Sequence, residues 1–330
     1  MAHGASTVRI LDGTEYRADD PTILRHAVMT ESDFIAALRT LPLHPAAAGL
    51  RDDTAHLGDL ILTKDMIVEG VHFLPDDPPG DVAWKLVATN LSDLAAKGAV
   101  PEGVLLGYPI GDDAWDRAFV AGLETVLRRF DCTLLGGDTV RLPDGAPRLL
   151  SLTAIGRARA APRRDGARAG DGLWVTGTIG DAGAGLAIAR GATGSPTLLD
   201  AYRRPHPRLT EGQTLAPLVH AMMDISDGLL IDATRMAEAS GVAVTIDLDA
   251  VPLSPALVAF GDDALSAATA GDDYELLFAF SRDGVPPVAA TRVGTFAAGN
   301  GLSLTRSGVA VPLPERVGYE HGAAVTFSSA

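Results

Sequence analysis

LILTKDMIVEGVHFL, residues 60–74, opens as a buried β-strand and closes on charge. Leu60, Ile61, Leu62, Ile67 and Val68 are the aliphatic residues that a pleated, packed surface favours. Lys64 and Asp65 break the run where more apolar residues are expected, and Glu69 and His72 follow. Lysine is scarce, since Lys64, Lys85 and Lys97 are the only three in the chain. A core strand with a concentrated polar end therefore has to be explained.

Outward from this strand the segments alternate. DVAWKLVATNLSDLAAKGA (81–99) predicts an amphipathic helix with Val87, Leu91 and Leu94 on one stripe, Asp81 as N-cap and Gly98 at its far end. EGVLLGYPI (102–110) reads as a strand, DDAWDRAFVAGLETVLRRF (112–130) as a helix, and CTLLGGDTV (132–140) and RLLSLTAIGRA (148–158) as strands. The basic, glycine-bearing stretch 157–172 is the best boundary, and beyond it the pattern restarts. GLWVTGTIG (172–180) is strand and turn, DAGAGLAIAR (181–190) helix, MMDISDGLLIDATRMAEASG (222–241) a loop entering a helix, and VAVTIDL (242–248) a strand. GDDYELLFAF (271–280) is a strand behind an acidic turn, and the remainder reads as strands with a hairpin. The expected class is α/β of the α+β type, in two halves. A loose extension covers 1–28, one domain 29–160 and a second 161–330. A short helix at Glu31–Arg39 is capped by Thr30 or Ser32.

The 42 acidic residues outnumber the 27 basic ones, for a formal charge of −15. Such a field repels nucleic acid and anionic membranes and suits a protein that gathers divalent cations. The lone Cys132 excludes a disulfide framework and a cysteine-based zinc site and fits a cytoplasmic setting. No run of 18 apolar residues is present.

Aspartates cluster beside strand and helix ends: Asp52–Asp53, Asp65, Asp93, Asp138 within GGDT, Asp224 with Asp227, and Asp272–Asp273. Each alone has an ordinary reading. Asp81, Asp112 and Asp171 fit caps or turns, and Asp93 could pair with Lys97 at i+4 for about 0.2–0.5 kcal/mol. Several carboxylates converging without cations would cost about 4 kcal/mol per close pair at an effective dielectric of 20, so convergence implies bound metal. Mg²⁺ prefers such hard oxygens and bridges them to phosphates. The chain has no G-x-x-x-x-G-K-[ST], no G-x-G-x-x-G, no kinase catalytic loop and no G-x-S-x-G elbow. Phosphate would have to be held through metals and glycine turns, one of them supplied by GGDT.

In order, DDTAHL (52–57), LTKDMIVEGVHF (62–73), NLSDLAAKGA (90–99), LLGGDTVR (134–141), GDGLWVTGTIGDAGAGLAI (170–188), DISDGLLID (224–232), GDDYELLF (271–278) and GYEH (318–321) resemble the thiamine-monophosphate kinase family of the aminoimidazole-ribonucleotide synthetase superfamily. The likeness runs from about Met29 to about residue 321. It implies a two-domain synthetase-like fold and a homodimer. The N-terminal domains would form a central β-barrel flanked by helices, with ATP in the cleft beside it and a C-terminal α/β domain. It implies direct ATP- and Mg²⁺-dependent phosphorylation of thiamine monophosphate to the diphosphate. Asp53, Thr63, Lys64, Asp65, Asp93, Asp138, Asp224 and Asp227 fall on its metal positions, with Asp93, Asp138 and Asp227 forming the catalytic set. Gly137, Asp138, Arg157 and Ser226 fall on ATP positions. His72, Asp272 and Arg316 fall on substrate positions.

The chain also departs from the family. Arg51 precedes Asp52–Asp53 where glycine is common, Lys64 replaces a small residue or threonine, and Asp272 replaces a common glutamate. Arg316 stands where an aromatic residue often lies, and Gly322 follows GYEH where phenylalanine is usual. The departures leave open a sister kinase acting on another small phosphorylated substrate, or a degenerate nucleotide-binding scaffold or sensor. Selenophosphate synthetase and the hydrogenase-maturation relative would each need a cysteine near one end, which the lone Cys132 does not supply.

Overall fold

The computed structural model describes residues 7–9, 15–17 and 30–320. The chain divides into a unit of Met1–Leu43 with Glu320–Ala330 and a unit of His44–Tyr319. In the first, β1 (Thr7–Arg9) pairs antiparallel with β2 (Glu15–Arg17), and α1 spans Glu31–Leu38. Thr30 caps α1, its hydroxyl accepting the Asp33 N–H at 3.2 Å while Asp33 reaches back to Thr30. Apart from the two short strands, the extension expected over 1–28 lies outside the described residues, as do His321 of GYEH and Gly322.

The larger unit holds two sheets. The first follows β3 (Ala55–Leu57), β4 (Leu60–Val68), α2 (Pro79–Ala96), β5 (Val100–Pro109), α3 (Asp113–Arg129), β6 (Leu134–Val140) and β7 (Leu149–Arg157). Its order is β3-β4-β7-β5-β6, antiparallel throughout except between β5 and β6. Ile61 and Ile67 of β4 and Leu150 and Leu152 of β7 pack with Leu86, Leu91 and Leu94 of α2 and Phe119 of α3. Met66, Leu105 and Leu134 stay exposed. The sheet is open, with β3 and β6 as its edges.

The second half contains β8 (Gly172–Thr176), α4 (Asp181–Ala189), α5 (Pro196–Arg203), α6 (Leu209–Leu215), β9 (Ala221–Asp224), α7 (Leu229–Ser240) and β10 (Ala243–Asp247). Then come α8 (Pro255–Phe260), α9 (Ala264–Thr269), β11 (Leu276–Phe280), β12 (Ala290–Ala297), β13 (Leu302–Arg306) and β14 (Val309–Val311). The seven strands run β14-β13-β10-β12-β8-β11-β9. Among the described residues, no helix is long and apolar enough to cross a membrane.

Three local expectations change. MMD is not loop but edge strand β9, because its apolar residues pair with β11, Met223 opposite Leu277 and Asp224 opposite Leu276. GGDT is not a turn but the middle of β6. Gly137 is needed there for close approach, since a Cβ would stand 1.9 Å from the Leu106 carbonyl oxygen of β5. Helix α2 is not amphipathic in the surface sense, for 15 of its 18 residues are buried. Its apolar stripe packs on the first sheet, and its polar stripe is covered by the second half. There Arg204 pairs with Asp81, Asp272 with Lys85 and Asp224 with Ser92. Asp81 therefore serves as an ion-pair partner; the N-cap is Pro78, with no side-chain cap.

The α2–α6 contact is equally tight. A Cβ on Gly212 would lie 1.9 Å from the Ala95 carbonyl oxygen. Gly212→Ala should therefore lower unfolding stability by about 1–3 kcal/mol, the usual cost of overpacking. A urea midpoint unchanged from the parent chain would show that the two helices have slack.

Candidate functional site

The period-two alternation of β4 separates the two charges that made residues 60–74 unusual. Thr63 and Asp65 share the α2 face with Ile61 and Ile67, while Lys64 lies on the other face and donates to Ser151 Oγ at 3.0 Å. From α2, Asn90 Oδ1 accepts the Asp65 backbone N–H at 3.1 Å, and buried Asp93 accepts a hydrogen bond from the Thr63 hydroxyl. Between them on the helix, Ser92 donates to Asp224 Oδ2 at 2.6 Å, which brings the end of β9 to the same place. Strand, helix and second half thus deliver their acids together.

These carboxylates disturb one another. Burial, and then the nearby Asp227, push Asp65 up to about 6. Burial also raises Asp224 to about 6, with Asp65 adding to the rise. Asp93 is pushed well above the ordinary carboxylate range by burial, then by Asp65 and Asp224. Low dielectric and like charge both disfavour ionisation, and the site is acid-rich beyond what its own donors offset.

The loop Asp224–Gly228 is shaped from behind by Asp232. This fully buried carboxylate accepts the backbone N–H groups of Ser226, Asp227 and Gly228 at 3.1, 3.0 and 3.2 Å. Arg235 bridges Asp232 at 2.9 Å and also pairs with Asp227. The loop's N–H groups are thereby spent inward, so Asp232 leaves the loop offering side-chain oxygens. Gly228 sits at φ 127°, ψ 149°, a region open essentially to glycine.

The third approach is the loop before β11. Asp272 donates its N–H to Ser226 O at 2.7 Å, and its carboxylate takes Lys85 Nζ at 2.7 Å and the Tyr274 hydroxyl at 3.0 Å. Lys85 also donates to His72 O at 2.9 Å, so His72 and Asp272 flank one ammonium. The neighbouring Asp273 turns away and caps α4, accepting the Gly180 N–H at 2.9 Å.

The other sequence-predicted residues have different surroundings. Asp53 pairs with Arg164 and lies 3.7 Å from Lys97. Lys97 has no exposed surface and binds Asp52 at 2.6 Å and Met222 O at 3.3 Å, in place of the i+4 pair with Asp93. Asp138 and Gly137 are exposed on edge strand β6. The rung through Asp65 runs by Leu152 and Leu106 to Gly137, three interstrand steps or roughly 14 Å. Arg157 is five residues along β7 from that rung, roughly 17 Å, and pairs with Asp59 and Glu102. Arg316 is exposed, two residues before Gly318, whose own neighbours are Ile231 and Asp227. Within one chain, then, Thr63, Asp65, Asp93, Asp224, Asp227, Ser226, His72 and Asp272 gather, while Gly137, Asp138 and Arg157 do not.

The donors fit Mg²⁺. They are hard oxygens, buried, and short of positive charge. Among the described residues no three acid, thiol or imidazole groups are gathered closely enough to hold an ion alone. That arrangement suits an ion that takes one or two carboxylates and fills its shell with water and phosphate oxygens.

Residues 51–158 match the model for the N-terminal domain of AIR synthase related proteins, and residues 168–310 match that for the C-terminal domain. A thiamine-monophosphate kinase of Caulobacter vibrioides is 39% identical, covering 93% of this chain and 95% of its own. The thiamine-monophosphate kinase of Salmonella typhimurium is 37% identical, with 83% and 91% covered. Among solved structures, AaThiL complexed with AMPPCP and TMP superposes with a TM-score of 0.78 at 30% identity, covering 89% of this chain and 97% of that one.

The raised acids have a pH consequence. Between the unfolded value of 3.8 and about 6, the folded metal-free chain holds a proton on Asp224 that the unfolded chain has lost. This contribution to stability is present below about pH 4 and is lost as pH rises through about 6, on the order of 3 kcal/mol. Asp224→Asn should flatten that part of the curve when melting temperature is followed from pH 4 to 7 in EDTA. Identical slopes for parent and variant would mean that Asp224 titrates normally.

Proposed function

The chain belongs to the AIR synthase related family, among the thiamine-monophosphate kinases, and we propose on that footing that it transfers a phosphoryl group from ATP directly to thiamine monophosphate, giving thiamine diphosphate. The observation that carries this reading is the convergence of Asp65, Asp93 and Asp224, raised by burial and by neighbouring acids, beside Asp227 and the Lys85 ammonium that His72 and Asp272 flank.

Phosphoryl transfer asks a protein for positioning and charge neutralisation more than for covalent chemistry. Bound Mg²⁺ would supply charge neutralisation and a template for the phosphate oxygens. Asp65, Asp93, Asp224 and Asp227 would supply one or two carboxylates to each ion, with Thr63 fixing the Asp93 carboxylate and Asn90 fixing the strand at Asp65. Asp93, Asp227 and Asp138 form the proposed catalytic set. Ser226, Gly137, Asp138 and Arg157 are assigned to ATP, and His72, Asp272 and Arg316 to thiamine monophosphate. The attacking group is a terminal phosphate oxygen, largely ionised near neutral pH, so the cleft needs no strong general base. Lys64 contributes through its backbone at most, because its ammonium is held by Ser151 on the opposite face.

We also propose a homodimer in which the open sheets of two copies build a barrel, covering Met66, Leu105 and Leu134. The halves 29–160 and 161–330 would then act as the ATP, metal and dimerisation domain and the C-terminal α/β domain.

Incubation of the purified chain with ATP, Mg²⁺ and thiamine monophosphate should yield thiamine diphosphate, with none formed in EDTA. Asp93→Asn should reduce kcat by at least 10²-fold, as expected for loss of an electrostatic element of the transition state. Nucleotide binding without product would favour a degenerate scaffold or sensor. Lys64→Ala should leave the half-saturating Mg²⁺ concentration within about twofold, below the roughly tenfold that losing 1.4 kcal/mol of binding would give. A larger shift would place the ammonium's charge in the site.

A further inference from the structure

We propose that Lys85 is a positioning residue for the substrate end of the cleft, holding the Asp272 carboxylate and the backbone at His72 in one arrangement. The inference rests on the assignment of His72 and Asp272 to the substrate. Lys85 comes from α2 with its side chain only 3% exposed, whereas the Asp272 side chain is 29% exposed. The ammonium therefore stands behind a carboxylate that keeps access to solvent. Nζ donates to Asp272 Oδ2 at 2.7 Å and to His72 O at 2.9 Å, and lies 4.1 Å from the centre of the Tyr202 ring.

Every group around the ammonium is itself held. The Tyr202 hydroxyl donates to Asp77 Oδ2 at 2.9 Å, which also takes the Leu74 N–H at 2.8 Å, and Arg203 donates to Asp77 Oδ1 at 2.8 Å. On the other side, Tyr274 binds Asp272 Oδ1 at 3.0 Å. Asp272 and Tyr274 have φ of 69° and 51°, left-handed conformations that cost a non-glycine residue energy. Their N–H groups bind Ser226 O at 2.7 Å and Ile225 O at 2.8 Å. Strain of this kind persists where the surroundings over-determine it. The loop is fixed by backbone bonds from its own half, while Lys85 reaches from the other half to fix the carboxylate. One oxygen is bound by the ammonium and the other by a phenol, and each retains acceptor capacity on its exposed side for an amino or cationic group of a substrate. A plain ion pair between halves would stabilise the fold without selecting which substrate is affected.

A double-mutant cycle on the full chain separates these roles. Lys85→Met should raise the KM for thiamine monophosphate about tenfold, with kcat and the KM for ATP within about twofold. Asp272→Asn should act alike, and the double variant should be no worse than Asp272→Asn alone. Lys85→Arg, which retains the charge, should fall between the parent and Lys85→Met. If Lys85→Met does not fold, Lys85→Arg with and without Asp272→Asn provides the same cycle. Multiplied effects in the double variant, an equal rise in the KM for ATP, or no change on Lys85→Met while Asp272→Asn raises KM would each overturn the inference. No effect of Asp272→Asn itself would instead remove the substrate assignment on which the inference rests.

Discussion

Helix α2 carries Asp81, Lys85, Ser92 and Asp93 into the interior, and an ionised group taken from water without a partner costs several kcal/mol. Each of these groups is met by a group from elsewhere in the fold. Arg204 lies 2.5 Å from Asp81, Asp272 lies 2.7 Å from Lys85, and Ser92 bonds Asp224 at 2.6 Å. Asp93 faces Thr63 of β4 on the other side. A helix buried on both faces is thereby the shared wall of the two sheets. Relative placement of the halves is set by matched polar contacts as well as by apolar area, which makes the register of the cleft specific.

The same helix creates an imbalance that the protein's own groups do not remove. Lys97 is committed to Asp52, Arg164 to Asp53 and Arg235 to Asp227 and Asp232. Asp65, Asp93 and Asp224 are left with carboxyls pushed upward, first by burial and then by neighbouring acids. Such a site is costly when its acids ionise without added cations and is relieved by divalent metal. The cost belongs to the function we propose, since an electrostatically satisfied cluster would have little reason to bind Mg²⁺ and phosphate.

Much of this was legible in the sequence. The ordered acidic motifs identify the fold, and the alternation of residues 60–68 already puts Lys64 and Asp65 on opposite faces. The Thr30 and Asp112 caps and the helix over 113–129 follow from local patterns. What escaped depends on contacts distant in the chain. Lys85 looks like a surface lysine until Asp272 arrives 187 residues later, and Asp232 looks like a helix-surface acid until the loop folds back on it. The Asp93–Lys97 spacing suggests a local pair, whereas in the fold Lys97 binds Asp52 and Asp93 takes the Thr63 hydroxyl. GGDT suggested a turn because glycine permits one, whereas Gly137 is required by the close approach of β5.

The central claim is that the acids brought together by β4, α2 and β9 are the metal and phosphate site. A crystal structure of the chain with a non-hydrolysable ATP analogue and Mg²⁺ tests it most directly. The account predicts each metal ion at about 2.1 Å from one or two carboxylate oxygens drawn from Asp65, Asp93 and Asp224, and in contact with the nucleotide phosphates. Phosphates and metal bound elsewhere, with those three carboxylates left unligated, would contradict it.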